Sequence, residues 1–206
     1  MHSVNCFFKK HYEEVQNLIT DLINHNDYKI LIEVGSGMGI PLNVAIEKNP
    51  SLVGAIGCDL DPDMINHCKK EFNNKKLVFV QGDATNLSTN LNEKVPDLMK
   101  HDKRIVMMIG NTLNHLNDVQ KLDILNQMAL TAGKHGLVLL VNFNSHHFGK
   151  AVQHFYNMVP QWYNKINPGE FDFTTCTFSE PESGYSNKWF SKEETENYVY
   201  KSGWDV

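Results

Sequence analysis

Five short apolar runs, rich in Val and Ile and spaced at 30–34, 53–58, 77–80, 105–109 and 137–141, constrain this chain more than any other feature. Short continuous apolar runs without polar alternation read as strands buried on both faces. Between them lie segments with helical spacing, at 40–47, 62–72 and 118–132, the last with Leu122, Leu125, Met128 and Ala129 along one stripe. Strand and helix in alternation predict a parallel sheet with right-handed crossovers, an α/β fold. Two flanking segments are also helical in pattern. One is 7–23, with Val15, Leu18, Ile19 and Leu22 on one side; the other is 192–202, opened by the capping box of Ser191 and Glu194 and stopped at Gly203. The stretch "FDFTTCTF", 171–178, alternates as a half-buried strand of an inserted hairpin or cap does.

A chain of 206 residues, 41% hydrophobic, can bury a substantial core as one domain without disulfides or metals. Its formal charge of -5 lacks the basic excess that duplex nucleic acid or an anionic membrane surface requires. No apolar run approaches membrane-spanning length and the start has no signal-peptide core, so a soluble, cytoplasmic protein is expected. Cys6, Cys58, Cys68 and Cys176 form no CxxC pair and read as reduced thiols packed as small hydrophobes. The last three residues read as the start of a strand, which predicts that the natural chain continues past Val206.

The first apolar run leads into "ILIEVGSGMGIPL", 30–42. A strand ending in Glu33 and turning through Gly35, Ser36, Gly37 and Gly39 into a helix sets backbone N–H groups, unobstructed by Cβ atoms, beside a nucleotide-like ligand. A dinucleotide fingerprint needs its third glycine one position later, where this chain has Ile40. The second run ends in Asp59, where an acid meets ribose hydroxyls. Asp61, followed by Pro62, reads as the N-cap of the next helix. The third run brings Asp83 to the same sheet edge, where its carboxylate can accept from an adenine amino group.

The set "EVGSGMG", "GCDLDPDMI", "QGDATNL", "MMIGNTLNHL" and "HGLVLLVNFN", covering about 30–144, resembles the class I S-adenosylmethionine-dependent methyltransferases. The resemblance implies a doubly wound, mostly parallel Rossmann-like sheet in a single domain. Its parts are an N-terminal helical lid (1–28), a cofactor-binding core (29–145), an inserted cap (146–190), and a last helix with the start of a strand (191–206). It implies S-adenosyl-L-methionine as the cofactor, with Glu33 and the loop of Gly35, Ser36, Gly37 and Gly39 facing the methionine end. Asp59 would take the ribose hydroxyls and Leu60 would pack on the adenine. Asp83 and the N–H of Ala84 would read the adenine edge, and Asn111 would sit beside the sulfonium. Glu33 stands where many members have Asp; the longer acid accepts the same hydrogen bond.

The segment "GNTLNHLND", 110–118, is similar to the corresponding stretch of glycine N-methyltransferase and other small-molecule N-methyltransferases. That similarity makes Asn111, Asn114 and His115 the substrate-side candidates, with Asn111 and His115 expected to carry catalysis. The competing reading of His115 is a residue that caps or packs the helix beginning near Asn117. Tyr12, on the N-terminal helix, is expected to touch the methionine or substrate side, against the plainer reading of an exposed tyrosine on a packed helix. Most aromatics of 146–190 read as cover for the sheet. His146 and His147 have no third partner at metal-ligand spacing, so no metal is expected. The expected activity is in-line methyl transfer to a small-molecule acceptor, nitrogen first and oxygen next. The alternatives are a noncatalytic S-adenosylmethionine-binding domain of a larger protein or complex, and a methyltransferase acting on a macromolecule. A nicotinamide-dependent oxidoreductase is disfavoured by Ile40 and the lack of a Tyr-x-x-x-Lys pair. Oligomeric state stays open.

Overall fold

The computed structural model describes residues 4–110, 112–158, 170–180 and 185–204. The order begins with α1 (Val4–Asn26), β1 (Ile30–Val34), α2 (Ile40–Lys48), β2 (Gly54–Asp59), α3 (Pro62–Glu71) and β3 (Leu77–Gln81). It continues with α4 (Leu87–Lys94), α5 (Pro96–Met99), β4 (Arg104–Ile109), α6 (Asp118–Ala132), β5 (Leu137–Val141) and α7 (Phe148–Met158). A small sheet of β6 (Phe171–Asp172), β7 (Thr177–Glu180) and β8 (Tyr185–Lys188) precedes α8 (Lys192–Lys201).

The main sheet has the order β3-β2-β1-β4-β5, with every pairing parallel. Successive side chains of a strand point to opposite faces. Hence β1 gives Ile30, Ile32 and Val34 to a core shared with Leu87, Leu91, Ile124, Leu125 and Met128 of α4 and α6. Leu31 goes to the opposite core, where Ile19, Leu42 and Ile65 come from α1, α2 and α3. By the same alternation Glu33 falls on the side covered by α1 and α2. The strand order reverses between β1 and β4, and in an open parallel sheet the crevice outside the carboxyl ends at that reversal is where ligands bind.

Local sequence sets the helix starts. Asp61 accepts from the Asp63 N–H at 2.8 Å, as its position before Pro62 predicts. Asn117 and Gln120 cap α6 reciprocally, and Ser191 and Glu194 do the same for α8. Lys121 docks α8 onto α6: only 5% exposed, its Nζ lies 3.0 Å from Asp118 and 5.2 Å from the ring centroids of both Phe190 and Tyr198. The Tyr198 hydroxyl donates to the same Asp118 carboxylate at 2.7 Å. Among the described residues no helix is long and apolar enough to cross a membrane.

One expected strand is differently built. The 171–178 stretch is not a continuous strand: β6 is two residues long and a turn precedes β7. The Asp172 carboxylate accepts from the N–H groups of Thr174 and Thr175, a local turn that competes with strand pairing. Cys176 completes it at φ 54°. The inserted hairpin itself is present, since β6, β7 and β8 pair antiparallel.

Candidate functional site

All three glycines of the loop after β1 hold left-handed backbone: φ is 68° at Gly35, 47° at Gly37 and 68° at Gly39. Their surroundings differ. A Cβ on Gly35 would come within 2.5 Å of Thr112, and one on Gly39 within 2.6 Å of the Phe79 ring, so these two allow the loop to pack tightly. A Cβ on Gly37 would meet nothing within 4 Å. Gly37 is therefore the place where backbone lies open to a ligand. The loop is fixed over β2 by the N–H groups of Gly35 and Ser36, which both donate to the Cys58 carbonyl, at 2.8 and 3.1 Å.

These differences separate two variants. Gly39→Ala combines left-handed strain with overpacking and should destabilise the protein by about 2–4 kcal/mol. Gly37→Ala meets only the strain, about 1–2 kcal/mol, yet should lose ligand binding because its methyl occupies the open approach. Thermal melts and titration calorimetry check both; full ligand affinity in Gly37→Ala would remove this point from the site.

Three acids line the carboxyl ends of β1, β2 and β3. The Asp59 carboxylate bridges two loops, accepting from Gly37 N at 2.8 Å through Oδ2 and from Asp61 N at 3.0 Å through Oδ1. Glu33 is only 3% exposed, and its Oε2 is buried without a hydrogen-bond partner. Burial, and secondarily the Asp59 charge, pushes its carboxyl up to about 8. Asp83 caps the turn opened by Ala84, accepting from Thr85 N at 2.9 Å. Its carboxylate thus has a structural duty that the sequence did not reveal. Leu60 stands beside them 68% exposed, an apolar side chain at the edge of the crevice. Burial pushes the neighbouring Cys58 thiol up to about 12, which fits a packed, inert thiol.

On the other side of the reversal, the turn Thr112–His115 follows β4, and Asn111 lies outside the described residues. Asn114 is 4% exposed; its Nδ2 donates weakly to Asn187 Oδ1 at 3.4 Å, and its Oδ1 has no partner. His115 Nδ1 lies 2.7 Å from the Ser186 carbonyl, which can only accept, so the ring carries its proton on Nδ1. His115 therefore packs β8 as well as standing at the crevice. It does not cap α6, a role held by Asn117. Asn142, directly after β5, has both amide atoms buried without partners. Gly110 N donates to Val141 O at 3.0 Å, which sets Asn142 beside the end of β4. Trp162 and Tyr163, and the side chains of Phe155 and Tyr156, lie outside what is described.

The helix α1 runs back over this edge. Tyr12 is 45% exposed, and burial first, then the Glu33 charge, raises its hydroxyl above the ordinary value, so the two are electrostatic neighbours. His11 packs its ring 6.0 Å from that of Phe143, the residue after Asn142. One turn along from Tyr12, Gln16 is 4% exposed and donates from Nε2 to the Pro41 carbonyl at 2.9 Å, while its Oε1 is buried without a partner. Sequence reasoning missed Gln16, which stands in no motif, and Asn142, which lies within the "HGLVLLVNFN" stretch but was given no role there. The structure thus brings Tyr12, Glu33, the glycine loop and Asp59 to one side of the reversal, with Asn114 and His115 on the other.

No family model matches the chain. A curated relative, the ribosomal RNA small subunit methyltransferase A of Mycoplasma capricolum subsp. capricolum, is 27% identical over 96 residues, 47% of this chain and 33% of that protein. Magnesium protoporphyrin IX methyltransferase from Synechocystis PCC 6803, solved with bound S-adenosylhomocysteine (SAH), is similar with a TM-score of 0.58 at 11% identity, over 94% of this chain and 73% of that one. An O-methyltransferase family protein from Burkholderia thailandensis gives 0.59 at 12% identity, over 94% of this chain and 51% of that one. The chain thus spans about a third of the curated relative it matches. The shared architecture is the class I Rossmann-like methyltransferase fold.

Proposed function

We propose that this chain binds S-adenosylmethionine at the carboxyl ends of β1, β2 and β3 and transfers its methyl group to a small-molecule acceptor, a nitrogen nucleophile before an oxygen one. The observation that carries the reading is the Asp59 carboxylate held against Gly37 N, the one loop glycine with open space above it, next to the buried, unpartnered Glu33 oxygen. These residues fit an adenosyl amino acid. Glu33 and the Gly35–Gly39 loop would take its amino-acid end, Asp59 the ribose hydroxyls, and Leu60 with Asp83 the base. The names of the similar structures, one of them holding the demethylated product, support the same ligand.

Bound there, the sulfonium supplies an already activated methyl group. The chain's own contribution is alignment and exclusion of water, and oriented reactants are worth about 7–11 kcal/mol in favourable cases. Asn114 and Asn142 offer neutral hydrogen-bonding groups where an acceptor would lie opposite the leaving sulfur. His115, held to the Ser186 carbonyl through Nδ1, stands on the same side of the reversal as these amides.

Titration calorimetry with S-adenosylmethionine and SAH tests the ligand, and methyl-labelled S-adenosylmethionine with a panel of amines, phenols and RNA tests the reaction. Saturable binding and labelled small-molecule product are expected. Binding without product from any acceptor would leave a noncatalytic binding domain, and label in RNA alone would favour the activity in the curated relative's name. Absence of binding would overturn the proposal.

A further inference from the structure

Two acceptor oxygens from different elements meet no donor on the side of the sheet covered by α1 and α2. Glu33 Oε2, near the end of β1, and Gln16 Oε1, on α1, are both buried without a hydrogen-bond partner. The orientation of the Gln16 amide is set by chemistry: the Pro41 carbonyl can only accept, so Nε2 faces it at 2.9 Å and Oε1 is turned away. Ser36 Oγ, also without a partner, lies over Gly57, which sits opposite Glu33 in the strand register, since a Cβ on Gly57 would fall 2.8 Å from it. Tyr12, four residues before Gln16 on the same helix face, is coupled to Glu33 by charge. Buried acceptors left unmatched are rare in folded proteins and mark a place that a donor fills in the working state. A carboxyl oxygen with an amide oxygen, neither able to donate to the other when Glu33 is ionised, fits a positively charged group rich in N–H.

We propose that Gln16 is a positioning and specificity residue of the ligand site, whose Oε1 joins Glu33 Oε2 in accepting from a primary ammonium group of the ligand. Its Nε2 bond to Pro41 O meanwhile ties α1 to the first turn of α2, next to the glycine loop. The inference rests on the proposed S-adenosylmethionine reading and adds to it a residue outside every motif. The α1 helix then serves the site as a component that contacts ligand.

Two calorimetric comparisons test it. In the unmodified protein, SAH should bind at least about tenfold more tightly than its deamino analogue, which keeps the carboxylate and lacks only the ammonium. Gln16→Met keeps the volume and removes both polar atoms. It should weaken SAH about tenfold while leaving 5′-methylthioadenosine, which has no amino-acid end, within about twofold. Equal affinity of the unmodified protein for SAH and its deamino analogue would overturn the proposal. So would a Gln16→Met protein that loses both ligands alike, because that outcome makes Gln16 a fastening of α1 alone. Failure of the broader reading looks different: the unmodified protein then binds neither SAH nor 5′-methylthioadenosine.

Discussion

Replacing Glu33 by Gln should raise the melting temperature of the ligand-free protein at pH 8 while weakening its hold on S-adenosylmethionine. Glu33 is sealed from water, and burial, helped by the Asp59 charge, lifts its carboxyl to about 8 from the 4.5 of an ordinary glutamate. Between those two values the unfolded chain releases a proton that the folded chain keeps. The folded state then binds more protons, and stability falls as pH rises through the window from 4.5 to about 8. Below that window both states are protonated and the penalty vanishes. At about 1.4 kcal/mol per unit, the full shift is on the order of 5 kcal/mol, reduced by whatever relaxation lets water in. Gln has the same shape and no proton to release. A gain of about 5–10 °C at pH 8, shrinking towards zero near pH 4.5, is expected from melts of the two proteins across this range. A lower melting point for Glu33→Gln at pH 8 would show that the ionised carboxyl stabilises the empty protein. Ligand binding should have the opposite sign, since an ammonium group favours the ionised carboxyl. Calorimetry near pH 7 in buffers of different ionisation enthalpy should find proton release on binding to the unmodified protein and none for Glu33→Gln.

Asp59→Ala should weaken S-adenosylmethionine binding by at least about a hundredfold, since two charge-assisted hydrogen bonds are each worth about 1.5–3 kcal/mol. The loss begins before any ligand arrives. Without the carboxylate, Gly37 N and Asp61 N lose their partners, and the open backbone at Gly37 loses the anchor that holds it. Asp59→Asn is the informative second variant. An amide offers one oxygen where the carboxylate offers two, so either Gly37 N or Asp61 N must face another N–H; an intermediate affinity follows. Removing this negative charge also relieves one of the two causes of the raised Glu33 carboxyl. The pH window of the melts should therefore shift downward in Asp59→Ala, and the double variant with Glu33→Gln should be non-additive. Unchanged affinity in Asp59→Ala would remove the carboxylate from the site.

Much of the scaffold was legible because local chemistry and tertiary packing agree there. The runs at 30–34 and 137–141 became β1 and β5 with the expected limits, since sheet burial needs unbroken apolar sequence. The start of α6 was legible because Asn117 and Gln120 complete a capping box. By contrast, α4 reads "LSTNLNEK" with only Leu87 and Leu91 buried, too thin a stripe to separate from loop. The 171–178 stretch misled because alternation says nothing of the Asp172 side chain, whose short-range bonds turn the backbone. In the candidate site, the glycine loop and its acids stood out by their spacing. Gln16 did not, because its value comes from a bond to Pro41, 25 residues away, and from an oxygen whose isolation exists only once α1 is folded over the sheet.

The sheet's last strand has a consequence for handling the protein. All five residues of β5 are half-buried, whereas the five of β1 are sealed, and among the described residues β5 stands last in the hydrogen-bonded order of the main sheet. A five-residue apolar strand at a sheet margin is a template for another chain's backbone, and nothing in "LVLLV" supplies the charge or proline that ordinarily blunts such a margin. For the 206-residue polypeptide, self-association on concentration is therefore expected to start at this margin, which light scattering across a concentration series would check.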